Sequence, residues 1–211
     1  MKTVPKSRHI ASLESLAREI ALISSTASVL GWDQETYMPP RALDHRAVQL
    51  AYLNAKAHTL FTSRAFRKML DKASSEDLSP VQARNVSELR RDLERAVRIP
   101  TSLVAEESEV TTLAKHAWSE ARSRSDFSMF APHLDRIIRI SRSKADLWGF
   151  AAEPYDALLT GYERGATTDE IASLFNHLKP RVSKMARQAV DRSASLQKNL
   201  LRGRYPLEKQ Q

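Results

Sequence analysis

No cysteine occurs in the 211 residues, which excludes disulfides and thiolate metal sites and suits a reducing cytoplasm, the expected location. Glycine is scarce: five glycines with nine prolines supply too few turns for a β-rich fold. No apolar run approaches the ~20 residues of a membrane span, so no membrane partner is expected. The opening Met1-Lys2-Thr3-Val4-Pro5-Lys6-Ser7-Arg8 is basic, but an amphipathic stretch with Glu14 and Glu19 comes next. An apolar signal core is missing, and no secretory leader is expected.

Several catalytic templates are absent as well. There is no Gly-x-Ser-x-Gly elbow, no phosphate-cradling glycine loop and no Gly-x-Gly-x-x-Gly. A zinc peptidase cassette needs two histidines one helical turn apart with a glutamate between them. His9, His45, His58, His116, His133 and His177 include no pair three to five apart, and none is followed by Glu. Glu106, Glu107 and Glu109 cluster on one helical stretch, but Thr and Lys around them read as a solvated face.

What is present is helical periodicity. Leu13, Leu16, Ile20, Ile23, Ala27 and Leu30 form one seam, which Gly31 is expected to end as a C′ residue. A second helix is predicted after Pro39-Pro40 through Ala57, and a short one around Phe66, Met69 and Leu70. Ser79-Pro80-Val81-Gln82 is a capping box with proline at the first helical position. Thr101 or Ser102 opens a helix whose inner face carries Leu103, Val110, Leu113, Ala114, Ala117 and Trp118. Ser125-Asp126 precedes another that runs to Gly149. Thr167-x-x-Glu170 caps the last, with Ile171, Leu174, Leu178, Val182, Met185 and Ala189 on one face. Met38 and Met185 are read as core fillers. The expectation is an all-α fold, an antiparallel long-helix bundle forming a single helical domain over residues 1–211. Periodicity fades over 194–211, which is expected to pack poorly.

The net charge of +8 is uneven. Between Arg181 and Gln211 eight Lys/Arg face only Asp191 and Glu208. Such a stretch could draw phosphates, but it has almost no interleaved aromatics to stack on bases. A solvated helix face is the preferred reading, and nucleic acid is not expected as a partner.

The least generic stretch is Gly31-Trp32-Asp33-Gln34-Glu35-Thr36-Tyr37-Met38-Pro39-Pro40, placed between two helices. An ordered series comes after it: Arg46-Ala47-x-Gln49-Leu50, Asn85-x-x-Glu88-Leu89-Arg90-Arg91, Pro100-x-x-Leu103-Val104, Trp118-x-x-Ala121-Arg122 and Asp126-Phe127-x-x-Phe130-x-Pro132. Pro154-Tyr155-Asp156-Ala157-Leu158-Leu159 and Gly203-x-Tyr205-Pro206 complete it. With Trp-Asp-x-Glu-Thr-x-Met-Pro at its head, the chain resembles the N-terminal portion of an M32-family (carboxypeptidase Taq) metallocarboxypeptidase.

That resemblance implies a helical enzyme, usually homodimeric, which removes C-terminal residues from peptides with a metal-activated water. It also implies that the metal cassette and general base lie C-terminal to everything present here. The expectations are therefore a truncated chain that is inactive alone, with no catalytic residue and no metal ligand. No cofactor is expected in this chain, although zinc or another divalent metal is implied for the complete family. The signature residues Trp32, Asp33, Gln34, Glu35, Thr36, Met38, Pro39, Tyr155 and Asp156 are expected to be structural or to line a groove wall. Trp32 is read as a packing anchor at a helix end. Asp33 and Glu35 are read as bonding backbone amides near Pro39-Pro40 or capping the second helix, and Asp156 as stabilising a first helical turn. Expected partners are a second copy or a complementing C-terminal half, with peptides only in the complete enzyme. The alternative is a non-catalytic helical interaction module.

Overall fold

The computed structural model describes residues 8–193 together with Gly203 and Pro206, and the expected poorly packed stretch 194–211 otherwise lies outside the described residues. Among these residues there are helices and no strand. The chain divides into two compact units, Met1–Leu158 and Leu159–Gln211, where the sequence reading places one domain.

In the first unit, α1 (Arg8–Thr36) packs against α2 (Leu43–Phe61) and α3 (Arg64–Ser74), and α3 in turn meets α4 (Pro80–Ala96). Ile10 and Leu13 of α1, Phe66, Leu70 and Ala73 of α3, and Val86 and Leu93 of α4 form a continuous core. Leu70 is fully buried and Phe66 nearly so; each side chain contributes roughly 2–3 kcal/mol through lost apolar surface. Phe61 and Phe66 meet edge to face at 4.9 Å, an arrangement that the ring quadrupoles favour.

The starts of α3 and α4 are set by local chemistry. Ser63 Oγ accepts from the Phe66 amide at 3.1 Å. The Ser79 amide donates to Gln82 Oε1 at 3.0 Å while the Gln82 amide donates back to Ser79 Oγ, closing the capping box around Pro80. These bonds satisfy amides that have no partner inside the helix.

The second layer pairs α2 with α5 (Thr101–Arg124), and α5 with α6 (Ala131–Trp148). Ala47, Ala57, Ala114 and Ala121 are all buried, and such small side chains let helix backbones approach closely. Asn54 Nδ2 crosses to Ser108 Oγ at 2.8 Å. His58 bridges three segments: its Nδ1 lies 2.9 Å from Thr101 Oγ1 and its Nε2 3.0 Å from the Ala96 carbonyl. Ser125 ends α5 in the left-handed region at φ 52°. A 3-10 turn, Phe127–Met129, leads into α6 with Asp126 at its head. Gly149 stops α6 at φ 78°, as expected of a helix-ending glycine.

One reading of burial is corrected here. The sequence places Trp118 on the inner face of α5, yet it is 45% exposed. It is apolar at a suitable spacing, but the buried positions of this helix are Val110, Ala114 and Ala121.

The short α7 (Pro154–Leu159) comes next. In the second unit, α8 (Thr168–Ser193) begins at the expected box, with the Thr167 amide donating to Glu170 Oε2 and the Glu170 amide to Thr167 Oγ1. No residue of α8 is buried. Met185, read as a core filler, is 68% exposed; periodicity identifies an apolar face but not what covers it. Pro180 lies inside α8 and has no amide for the Asn176 carbonyl. At 3.6 residues per turn it falls on the side opposite Ile171, Leu178, Val182 and Ala189.

Candidate functional site

The signature sits on the end of α1, not in a loop. Gly31 is the expected end of this helix, but α1 runs on to Thr36. A glycine stops a helix only when the chain turns left-handed there, and Gly31 does not have positive φ. The stop comes later: the Tyr37 and Met38 amides both donate to the Asp33 carbonyl, at 3.0 and 2.9 Å. Pro39 then bars Met38 from helical backbone angles. Trp32, Asp33, Gln34, Glu35 and Thr36 thus form the last helical turn, Met38 and Pro39 the link, and Pro40–Ala42 a 3-10 turn into α2.

Arg46 on α2 pins this turn. Its Nη2 donates to Asp33 Oδ2 at 2.6 Å, its Nη1 to the Leu30 carbonyl, and its Nε to Gln49 Oε1 at 3.1 Å. Only 10% of the Arg46 side chain is exposed, against 35% for Asp33. The reading of Asp33 as a cap or a backbone binder is therefore corrected for its side chain: the carboxylate serves an arginine thirteen positions away, and α2 starts at Ala42 without a side-chain cap. Guanidinium suits three divergent acceptors because its donors form a rigid fork. Glu35 does not cap either; its carboxylate pairs with Lys115 Nζ of α5 across an exposed surface.

Beside this turn lies a groove of about 290 Å³ lined by Gln34, Glu35, Met38 and Leu43 on one side and Lys115, His116, Trp118 and Ser119 on the other. Met38 and Trp118 give it apolar walls. Lys115, His116, Gln34 and Ser119 supply donors and acceptors. Arg122 stacks over Trp118, 5.3 Å from the ring centroid, a cation–π contact. On the other side of the turn Trp32 is 58% exposed and meets Tyr37 edge to face at 5.5 Å. Trp32, read as a packing anchor at a helix end, thus packs on Tyr37 at the surface.

Tyr155 and Asp156 are not brought to the groove. They open α7, with Tyr155 exposed and Asp156 in the first turn as expected. The nearby indole of Trp148 is structural: its Nε1 donates to the Arg95 carbonyl at 3.2 Å, and Arg95 and Lys144 lie 4.1 and 5.1 Å from its ring centroid. Burial, with Arg91 and Arg98 nearby, pushes the Arg95 guanidinium below its usual pKa. Lys144 is held by both carboxylate oxygens of Glu107, at 2.7 and 2.8 Å. Glu107 thus has an ion-pair role within the acidic stretch that the sequence presents as a solvated face.

A larger groove, about 490 Å³, runs between α1 and α4 and is walled by Ile10, Leu13, Ala17, Val86 and Leu89, with Asn85 and Glu88 on its rim. It is mostly apolar, with Glu14, Arg18 and Gln82 also among its lining residues, and it lies away from the signature turn. The smaller groove is the better candidate, because it joins the signature turn to a mixed aromatic and polar wall.

The residues described do not fit a catalytic metal. Among them no three His, Cys, Asp or Glu side chains group as donors. His9 pairs with Glu76 at 2.7 Å and His177 with the Ser173 carbonyl at 2.7 Å; His58 is engaged on both nitrogens. No described helix is long and apolar enough to cross a membrane.

Lys115, His116 and Ser119 carry no sign in the sequence that singles them out. Trp118 and Arg122 stand in one motif, and their spacing of four is the readable sign of stacking. The spacing of three between Arg46 and Gln49 is likewise readable, but nothing local names Asp33 as their partner.

Comparison with known proteins sets these features in a larger frame. The family model described as carboxypeptidase Taq (M32) metallopeptidase matches residues 12–211. Thermostable carboxypeptidase 1 of Pyrococcus furiosus is 35% identical over 204 residues, covering 94% of this chain and 41% of that relative. The crystal structure of the M32 carboxypeptidase from Deinococcus radiodurans R1 superposes with a TM-score of 0.78 at 32% identity, over 97% of this chain and 41% of that one. The crystal structure of BsuCP superposes with a TM-score of 0.91 at 26% identity, with the same coverages. The chain therefore spans about two-fifths of the length of these relatives, and corresponds to the N-terminal portion of such a protein. With the match extending over residues 12–211, the chain belongs to the carboxypeptidase Taq (M32) metallopeptidase family.

Proposed function

We propose that this chain supplies one wall of the peptide groove of an M32 carboxypeptidase and does not hydrolyse peptides by itself. The observation that carries this reading is the family match over residues 12–211, beside the finding that no three His, Cys, Asp or Glu side chains group together among the described residues. The complete enzyme would release C-terminal amino acids with a metal-activated water. This chain would contribute the α1–α2 turn and the Met38–Trp118 groove beside it, held in place by Arg46. Its partner would be the complementing part of the family fold.

A second reading is favoured by the uncovered apolar face of α8. On this reading the scaffold acts as a non-catalytic interaction module. The test common to both is elemental analysis of the purified chain after incubation with zinc, beside carboxypeptidase activity on a blocked dipeptide. Less than about a tenth of a metal per chain without turnover is the expected result. Stoichiometric zinc with turnover would overturn the proposal.

A further inference from the structure

Two motifs of the sequence, Trp118-x-x-Ala121-Arg122 and Asp126-Phe127-x-x-Phe130, meet at a cleft of about 350 Å³ where α5 gives way to α6. Trp118, Phe127 and Phe130 give it aromatic walls, and the last two meet edge to face at 6.4 Å. Phe127 is 65% exposed. Two opposite charges, Arg122 and Asp126, border the same cleft. Four positions apart on one helix they would be placed to pair. Ser125, left-handed at φ 52°, instead ends α5, and Asp126 falls beyond the helix at the head of the next turn. Arg122 stacks over Trp118 and donates no side-chain hydrogen bond among the described residues. Asp126 spends Oδ1 on Ser128, and its Oδ2 has no partner among them.

We propose that this cleft binds a free α-amino acid with an aromatic or large aliphatic side chain, as its zwitterion. Arg122 takes the α-carboxylate, Asp126 the α-ammonium, and the side chain lies among Trp118, Phe127 and Phe130. A guanidinium fork matches the two oxygens of a carboxylate. Bonds from the Ser128 hydroxyl and amide hold Asp126 below the usual aspartate pKa, so it is ionised at neutral pH. The Asp126 amide donates to the Ala121 carbonyl at 2.9 Å, which places this acid at the carbonyl end of α5, where partial negative charge also favours a cation. The volume stands at the small end of ligand clefts, roughly 300–1,000 Å³, and suits one amino acid rather than a longer peptide. A ligand with a single charge would leave Arg122 or Asp126 without a counter-ion. Trp118 also borders the groove beside the signature turn, but the inference rests on α5 and the turn into α6, not on peptide hydrolysis.

An open cleft and a ligand this small give weak binding, with a Kd of about 1 mM. L-phenylalanine titrated into the full chain to about 20 mM should move the Trp118 indole N–H resonance, assigned with Trp118→Phe. The indole resonances of Trp32 and Trp148 should stay in place. L-phenylalaninamide lacks the carboxylate, N-acetyl-L-phenylalanine the ammonium and L-alanine the ring; each should bind at least about fivefold more weakly. Arg122→Gln and Asp126→Asn should each weaken L-phenylalanine by a similar factor with the circular dichroism spectrum unchanged. If either variant fails to fold, the ligand series on the native chain still decides the matter. No movement of the Trp118 resonance at about 20 mM would overturn the proposal. So would N-acetyl-L-phenylalanine binding as well as the free amino acid, which would make the cleft a seat for a peptide's terminal residue. Equal binding of L-phenylalaninamide, or unchanged affinity in both variants, would overturn it too and leave only an aromatic surface.

Discussion

Replacing Arg46 with methionine keeps most of the side-chain volume and removes the charge. Three acceptors lose their donor: the Asp33 carboxylate, the Leu30 carbonyl and the Gln49 amide oxygen. Stranding one member of a fully buried ion pair costs about 3–5 kcal/mol. Asp33 keeps a third of its side chain in water and can rehydrate, so the cost falls to about 2 kcal/mol. For a chain of this size that lowers Tm by roughly 4–8 °C. All three tryptophans, Trp32, Trp118 and Trp148, lie within Met1–Leu158, so urea unfolding followed by tryptophan fluorescence reports the unit that contains the pin. A double-mutant cycle with Asp33→Asn should return a coupling of about 1–2 kcal/mol. A loss below about 0.5 kcal/mol for Arg46→Met, or additive single variants, would show that the turn is held by Pro39 and the backbone alone.

Two further outcomes test smaller features. Ser125→Gly should stabilise the chain by roughly 0.5–1 kcal/mol, because a left-handed residue with a Cβ carries a conformational penalty that glycine lacks; a decrease in urea midpoint would mean that the Ser125 side chain contributes more than its backbone costs. Asp126 accepts bonds from the Ser128 hydroxyl and amide, at 2.6 and 3.0 Å, which lower its pKa below the usual aspartate value. Its stabilising contribution is therefore present above the unfolded-state pKa and disappears as pH falls through the lower folded-state value. An NMR titration of its side-chain carboxyl should give a midpoint below about 3.9, and Ser128→Ala should move it upward; an unshifted midpoint in the native chain would refute the assignment.

Two helix starts and one helix end are legible in the sequence because capping is local chemistry. Ser79 with Gln82, Thr167 with Glu170, and Gly149 after α6 each act within a few residues, so their types and spacing suffice. The end of α1 is misread because glycine carries information only through its φ, which is set by the path of the later chain. Asp33 is misassigned for a different reason: its partner, Arg46, is brought near by the return of the chain through Pro39 and Pro40. The groove shows the same boundary. Its α1 side stands out as an unusual run of residues, whereas Lys115, His116 and Ser119 look like any helix surface until α5 is packed on α2. The α8 stripe reads correctly as apolar, and Met185 within it wrongly as a core filler.

The bridge made by His58 also settles where its proton resides. A carbonyl oxygen only accepts, so the nitrogen facing Ala96 must carry hydrogen. In the neutral ring the other nitrogen then has only a lone pair to offer, and the Thr101 hydroxyl must turn its hydrogen toward it. The imidazole is thereby held in the Nε2–H tautomer, and Thr101, the first residue of α5, is oriented by it. Thr101→Val would leave that lone pair facing a methyl group, and the imidazole nitrogen resonances would report the change directly.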